Sequence, residues 1–412
     1  MSKILQKFLT KLIRLGDLEI QSASGAKFRV GDGTGPTSAL RFTRSSAEWR
    51  LLRDPELAFG ELYMDGGIEV VQGTIYDALM IASQNVAGPA SKWVAALQGF
   101  RMRMRHRSQS NTKAKAHRNV AHHYDLDSRM YSLFLDEDMQ YTCAYFEKPD
   151  DTLETAQLAK KRHIAAKLQI QPGQSVLDIG FGWGGLGLYL ARYCGAHVTG
   201  ATLSKEQLAI AQQRAKDSGL ADRIDFRFQD YRDVPETFDR IVSVGMFEAV
   251  GLPYFDAFFQ KIASALKDDG CALIHTIGNT NTPFPTNPWI DKYIFPGGYV
   301  PSMSEILPAI ERAGLKVTDI EVLRLHYAET LRAWRTRFMA RREEVLRLYD
   351  DRFIRMWEFY LALSEAGFRR GDIVIFQFQL AKRVDVLPIC RTYMVEEENR
   401  LRALDGGTPQ NA

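Results

Sequence analysis

A chain of 412 residues is longer than one ordinary core requires, which points to two domains. With 45% apolar and 25% charged residues it is globular, which excludes disordered and fibrous classes. Its 53 basic and 50 acidic residues leave a net charge of only +3, so nothing global favours nucleic acid, and an anionic partner has to meet a local patch.

In residues 3–14, Ile4, Leu5, Phe8, Leu9, Leu12 and Ile13 recur at helical spacing against Lys7, Lys11 and Arg14. The predicted element is an amphipathic helix with a basic face. The apolar run is too interrupted for a cleaved signal peptide, and no later run is apolar enough to span a bilayer. A small α+β domain is expected over residues 1–98, its turns marked by Gly31-Asp32-Gly33-Thr34-Gly35-Pro36 and Asp65-Gly66-Gly67. The run Arg101-Met102-Arg103-Met104-Arg105-His106-Arg107 and the polar residues 108–115 read as a basic, mobile linker, placed at 99–118.

A second domain is expected over 119–383. Strand candidates lie at 175–179, 197–201, 224–228, 239–244, 272–276, 317–323 and 373–380, with amphipathic stretches such as 205–218 between the first five. Repeated strand–helix units predict an α/β fold with a doubly wound, mostly parallel, seven-stranded sheet. The stretch 327–365, rich in arginine and aromatics, is expected to form a helical cap, and 384–412 a C-terminal tail. Cys143, Cys194, Cys271 and Cys390 are scattered without a CxxC pair, so neither a zinc site nor a disulfide framework is expected, and a reducing compartment fits.

The most informative stretch is Val176-Leu177-Asp178-Ile179-Gly180-Phe181-Gly182-Trp183-Gly184-Gly185-Leu186-Gly187. A buried strand runs into a glycine-dense turn and then a helix, an arrangement that aims backbone N–H groups at a ligand and lets it approach closely. Dinucleotide binders place an acid at the tip of the second strand, but here that strand ends Val198-Thr199-Gly200-Ala201-Thr202-Leu203-Ser204. Asp178 within the first strand and the absent second acid point to S-adenosylmethionine rather than a dinucleotide. Further on, Glu248 sits in the apolar run Ser243-Val244-Gly245-Met246-Phe247-Glu248-Ala249-Val250-Gly251, either opening a helix in water or buried with a partner. His275, in Leu273-Ile274-His275-Thr276-Ile277-Gly278, ends the next strand. Ligands of open α/β sheets bind beyond such strand ends, so Glu248 and His275 are expected to face the same crevice as the glycine turn. Cys143, between aromatics in Tyr141-Thr142-Cys143-Ala144-Tyr145-Phe146, reads as core more readily than as a nucleophile.

Taken together, the strings AHHYDLDSRMYSLFL, MQYTCAYF, VLDIGFGWGGLGLYLA, GATLSKEQ, SVGMFEAVG, LIHTIG, PWIDKYIFPGGYVPS, HYAETLRAW and LAFGELYMDGGIEV resemble the bacterial cyclopropane-fatty-acyl-phospholipid synthases, in the mycolic acid cyclopropane synthase superfamily, of the long type with an N-terminal domain. The resemblance covers residues 50 to 383. It implies methyl transfer from S-adenosylmethionine to a cis double bond of an unsaturated phospholipid acyl chain, with the proton taken by a bound bicarbonate. On the family's motifs, bicarbonate falls to Cys143, Glu248, His275, the backbone of Ile277, and Tyr327. Cofactor binding falls to Tyr141, Thr142, Asp178, Gly180, Gly182, Thr202, Gln207, Asp230 and Tyr231, with no metal. Tyr141, Tyr145 and Phe247 are candidates for cation–π support of a carbocation.

Two departures stand out: Ala249 replaces a histidine common in the family, and Thr142 stands where serine is common. Ala249 keeps open a fatty-acyl methyltransferase that leaves a methyl or methylene branch. The resemblance further implies a cytoplasmic homodimer at the inner face of the membrane. Residues 3–14 and 101–115 are candidate headgroup contacts, and Trp334, Phe338, Trp357 and Phe359 candidate walls of an acyl tunnel, each with a core or solvated reading equally open.

Overall fold

A computed structural model describes residues 2–85, 92–109, 128–371 and 373–406. Two compact units form, one from Met1–Ser108, Phe284–Pro296 and Leu331–Asp372, the other from Gln109–Pro283, Gly297–Thr330 and Ile373–Ala412. The division therefore departs from a simple N-terminal and C-terminal split.

In the first unit, β1 (Asp17–Gln21), β2 (Lys27–Val30), β3 (Thr37–Phe42) and β4 (Ile68–Gln72) form a sheet in the order β2-β1-β3-β4. The helix Ser2–Leu12 buries Leu5 and Leu9 in the core beneath that sheet, with Ile20, Leu40 and Phe42. Its apolar face is thus used within its own unit, as helical spacing of those leucines requires. The expected linker is helical where it is described. Lys92–Ser108 forms one helix, and Arg101 is held by Asp54 at 2.6 Å and by Glu56. Arginine and methionine are good helix formers, and an arginine fork met by two carboxylates is not left to solvent. The rest of the linker and the first seven residues of AHHYDLDSRMYSLFL, 121–127, lie outside the described residues.

The stretch expected to cap the sheet is instead largely built into this unit. The helix Asp351–Arg370 sets Phe359 against Phe59 and Trp289, with ring centroids 5.7 and 4.6 Å apart. Tyr63 Oη donates to Glu358 at 2.7 Å, and Arg335 pairs with Glu365 at 2.9 Å. Trp334, Phe338, Trp357 and Phe359 are all buried. Large aromatics lose more apolar surface to water here than any surface lid would allow, so packing decides their place.

In the second unit seven strands follow the order β10-β11-β9-β8-β5-β6-β7. They are β5 (Ser175–Ile179), β6 (His197–Thr202), β7 (Ile224–Phe228), β8 (Phe238–Val244), β9 (Leu266–Asn279), β10 (Lys316–Leu323) and β11 (Ile373–Ala381). The first five are mutually parallel, and β11 enters antiparallel between β9 and β10. This is the mostly parallel seven-stranded sheet that the alternation of strands and helices predicts. Alternate residues feed two cores: Leu177, Ile241 and Ile274 one, Val176, Val242 and Leu273 the other. Both faces are covered, as parallel sheets require. The expected tail contains a helix, Thr392–Asp405, locked to the helix Leu153–Leu168 by Arg162–Asp405 at 2.9 Å and His163–Glu398 at 2.6 Å. Strand order reverses between β5 and β8, and crevices open at such switch points.

Candidate functional site

The turn after β5 is folded by its glycines. Gly180, Gly182 and Gly184 have φ of 79, 57 and 83°, values that cost a side-chain-bearing residue dearly. A Cβ at Gly180 would meet Met246 at 3.0 Å, and one at Gly184 would meet Phe226 at 2.9 Å. At Gly182 a Cβ would meet nothing within 4 Å, so that backbone faces open space. The helix Gly185–Tyr193 starts there and directs its first N–H groups at that space.

The space is a cavity lined by all nine residues expected to bind the cofactor: Tyr141, Thr142, Asp178, Gly180, Gly182, Thr202, Gln207, Asp230 and Tyr231. Asp178 Oδ2 is buried with no hydrogen-bond partner among the described residues. Burial lifts the Asp178 carboxyl to about 7, with Lys160 opposing. Asp230 does not stand alone at its rim, for Arg232 holds both its carboxylate oxygens at 2.8 and 2.6 Å. A glycine wall open to a ligand and a carboxylate lacking a partner fit S-adenosylmethionine, whose methionine end carries an ammonium group.

One wall of the cavity comes from residues 139–142, pinned by the helix Leu153–Leu168. Gln157 Nε2 donates to the Thr142 carbonyl at 3.0 Å, and Lys160 Nζ donates to Gln140 Oε1 at 2.6 Å and Thr142 Oγ1 at 2.8 Å. Lys160 lines the cavity and was not singled out from sequence. Burial lowers its ammonium to about 8, against attraction from Asp136 and Asp138. The signal was there: Lys160, His163 and Lys167 share one face of a helix that is almost wholly buried.

None of the five residues expected to hold bicarbonate lines this cavity. Ala249 and Thr142, each adjacent in sequence to one of them, do. Glu248, in a short turn after β8, is half-buried as a residue but its carboxyl is enclosed, and that burial raises it. Its Oε1 accepts from the Ile277 N–H, so that amide, expected to face an anion, is engaged by Glu248. Its Oε2 has no partner among the described residues. His275 is buried in β9, pushed well below its ordinary value by burial and then by Lys160, Lys167 and His163. Its Nε2 likewise has no partner among the described residues.

Cys143 is buried, and burial pushes its thiol up; it donates to the Ala144 carbonyl at 3.2 Å. It is a protonated donor, not a nucleophile. Its neighbours dock onto the helix His326–Ala340: Ala144 N–H to Thr330 Oγ1 at 3.0 Å, and Phe146 N–H to His326 Nδ1 at 3.0 Å. Tyr327 lies between these two anchors in sequence and is 9% exposed. The structure thus ties Cys143 to the Tyr327 turn, and Glu248 to His275's strand. Of the three aromatics considered for cation–π support, only Tyr141 lines the cavity. Phe247 packs against Phe255 and Phe258, and Tyr145 is stacked between His163 and His326 at 4.1 and 4.9 Å. Their faces are spent within the core.

The switch-point cavity, its glycine wall and its strand order define an S-adenosylmethionine-dependent methyltransferase. The family model described as "Mycolic acid cyclopropane synthetase" matches residues 111–378. The cyclopropane-fatty-acyl-phospholipid synthase of Escherichia coli (strain K12) is 39% identical over 338 residues, 82% of this chain and 86% of that one. A probable fatty acid methyltransferase of Pseudomonas putida is 41% identical over 272 residues, 64% of this chain and 68% of its own. The solved structure of mycolic acid cyclopropane synthase CmaA1 complexed with SAH and CTAB superposes with a TM-score of 0.61 at 34% identity, covering 64% of this chain and 97% of that one. The chain belongs to the mycolic acid cyclopropane synthetase family. Among the described residues no helix is long and apolar enough to cross a membrane.

Proposed function

We propose that this methyltransferase converts a cis double bond of an unsaturated phospholipid acyl chain to a cyclopropane at a membrane surface, losing a proton to a bicarbonate held near Glu248 and His275. The observation that carries the reading is the pair of buried polar atoms without partners among the described residues, Glu248 Oε2 just past the end of β8 and His275 Nε2 on β9 where it pairs with that end. Burying such groups is costly unless something else meets them. When bound, S-adenosylmethionine supplies the methyl group and bicarbonate the base.

The chain's own residues do the rest. Asp178 and the glycine wall hold the donor at the switch point. Glu248, anchored by the Ile277 N–H, accepts a hydrogen bond from the anion's hydroxyl and so orients it. Neutral His275 and Tyr327 donate to its oxygens, aiming negative charge at the carbon that becomes cationic, and the Cys143 S–H joins them on turning from the Ala144 carbonyl. Methyl transfer would break the donor's S–CH3 bond, releasing the neutral thioether, use the alkene π pair to make one C–C bond, and leave a cation on the other alkene carbon. Loss of a proton from the new methyl group then releases the C–H electron pair to close the ring. Burial around Glu248 and His275 excludes water, which would capture that cation.

A second reading is favoured by Ala249 in the cavity lining and by similarity to the Pseudomonas putida fatty acid methyltransferase. With proton loss directed elsewhere, the product is a methyl- or methylene-branched chain. One assay separates the two: purified protein, isotopically labelled methyl donor and vesicles of unsaturated phospholipid, followed by mass spectrometry. A chain that gains CH2 and resists hydrogenation is the cyclopropane. A product of equal mass that takes up hydrogen is the methylene-branched chain and overturns the first reading.

A further inference from the structure

We propose that Gln377 and Lys167 are positioning residues that fix the tautomer of His275, so that its Nε2–H is the donor it presents. This rests on the reading that His275 donates to an oxyanion in the site, and it assigns what enforces that donor.

The argument begins in the sheet. His275 on β9 lies directly opposite Gln377 on β11 in antiparallel register. The Gln377 amide bridges two groups: Nε2 lies 3.1 Å from His275 Nδ1, and Oε1 accepts from Lys167 Nζ at 2.7 Å. A primary amide has one accepting end and one donating end, and an ammonium group only donates. Lys167 therefore dictates that the amide oxygen faces it and that the NH2 faces His275. A neutral imidazole met by a donor at Nδ1 must carry its lone pair there and its proton on Nε2.

The direction is imposed from further out. Lys167 is buried and paired with Glu321. Glu321 also accepts from His163 Nε2 at 2.7 Å, while His163 Nδ1 meets Glu398 at 2.6 Å. Carboxylates only accept, so His163 donates from both nitrogens as an imidazolium. Burial opposes that charge, but the two bonds outweigh it and raise the His163 value. Glu398, His163, Glu321, Lys167 and Gln377 thus form one oriented chain ending at His275. Two buried histidines in one network take opposite states: His163, between carboxylates, is the cation. His275, facing Lys160, Lys167 and His163 with Glu321 opposing, is neutral.

The test reads the tautomer directly. In uniformly 15N-histidine-labelled protein, with the His275 resonances assigned by their loss in His275→Gln, the wild type should show a pyridine-like Nδ1 and a pyrrole-like Nε2 from about pH 6 to pH 9. In Gln377→Glu the new carboxylate can only accept, so Nδ1 should become pyrrole-like and turnover should fall by about 10²-fold, with S-adenosylmethionine affinity by calorimetry within about threefold. Lys167→Arg, which keeps a donor to Gln377, should keep the wild-type pattern. A wild-type Nδ1 that carries the proton, or a Gln377→Glu spectrum unchanged from wild type, overturns the proposal; the wild-type spectrum decides even where a variant fails to fold. Full turnover in His275→Gln with the expected wild-type tautomer would instead sink the functional reading and leave the tautomer assignment standing.

Discussion

Around β5 and β6 the cavity is walled by backbone: three glycines at positive φ, a helix start, and an aspartate without a partner. Around β8, β9 and β11 the neighbouring site is made of enclosed polar side chains: three ionisable ones, Glu248, His275 and Lys167, and the Gln377 amide that links the last two. The first region binds mainly by backbone shape, with Asp178 and Lys160 as titrating groups in its lining. The second holds charge in a low-dielectric setting, where one altered partner changes a protonation state. Binding and chemistry are therefore expected to separate under mutation along this line.

The sharpest way to break the comparison is Glu248→Gln. The amide keeps the shape and loses the acceptor charge, so turnover should fall by about 10²–10³. Donor affinity measured by calorimetry should stay near wild type, because Glu248 does not line the cavity. Equal losses in both would show that the two regions are one.

Asp178→Asn probes the backbone-walled side, where ionisable groups, Asp178 and Lys160 among them, also sit. Its folded value of about 7 lies above the ordinary 3.8 because of burial. The sign follows from proton counting. Between about pH 4 and pH 7 the unfolded chain has lost this proton and the folded chain keeps it, so the residue makes stability fall as pH rises, then level off. Asparagine removes that loss. The variant should match wild type in Tm near pH 4 and exceed it above pH 7, by a stability difference on the order of 4 kcal/mol. Donor affinity should drop about tenfold through loss of the carboxylate. A Tm difference independent of pH would mean that Asp178 is ionised throughout.

Gly200→Ala tests how tightly the glycine wall is braced. Gly200 pairs with Asp178 across β5 and β6, and a Cβ there would come within 2.5 Å of both Phe181 and Phe226. Those rings are stacked at 4.4 Å, and Phe181 belongs to the turn itself. The methyl should cost about 1–3 kcal/mol of stability by overpacking. Donor affinity should weaken through the displaced turn, while the 15N pattern of His275 stays unchanged.

The same contrast governs what could be read from the sequence. The glycine turn and the seven strands are local features: spacing and residue type within a dozen positions fix them, and β5 and β7 match the expected strands end to end. Glu248 could be placed past a strand end by the same logic, but His275 lies inside β9, which runs on to Asn279 beyond the expected end at 276. Lys167 and Gln377, 210 positions apart, could not, because nothing local marks a lysine whose role depends on one amide oxygen. The helix Thr392–Asp405 escaped for a related reason. It is marked by Arg162, His163 and Asp405, whose pairing exists only once the chain has folded. Residues 331–372 were legible as helices but not in their packing, since aromatic spacing alone does not say which core receives Phe359.

The smallest effect comes from the scaffold shared by both regions. The helix Leu153–Leu168 delivers Lys160 to the cavity wall and His163 and Lys167 to the ionisable network, and it starts at Thr152, whose side chain accepts from the Thr155 N–H at 3.2 Å. Thr152→Ala removes that cap and should cost about 1 kcal/mol, a Tm shift of about 2–4 °C. The cap lies two turns before Lys160, and the buried bonds of Lys160, His163 and Lys167 hold the helix in place without it. Donor affinity, turnover and the His275 spectrum should therefore all match wild type below the melting transition. If turnover instead falls while affinity holds, fraying at Thr152 is reaching the ionisable side alone. The buried bonds would then be too weak to isolate chemistry from the helix end, and the two regions would differ in rigidity as well as in material.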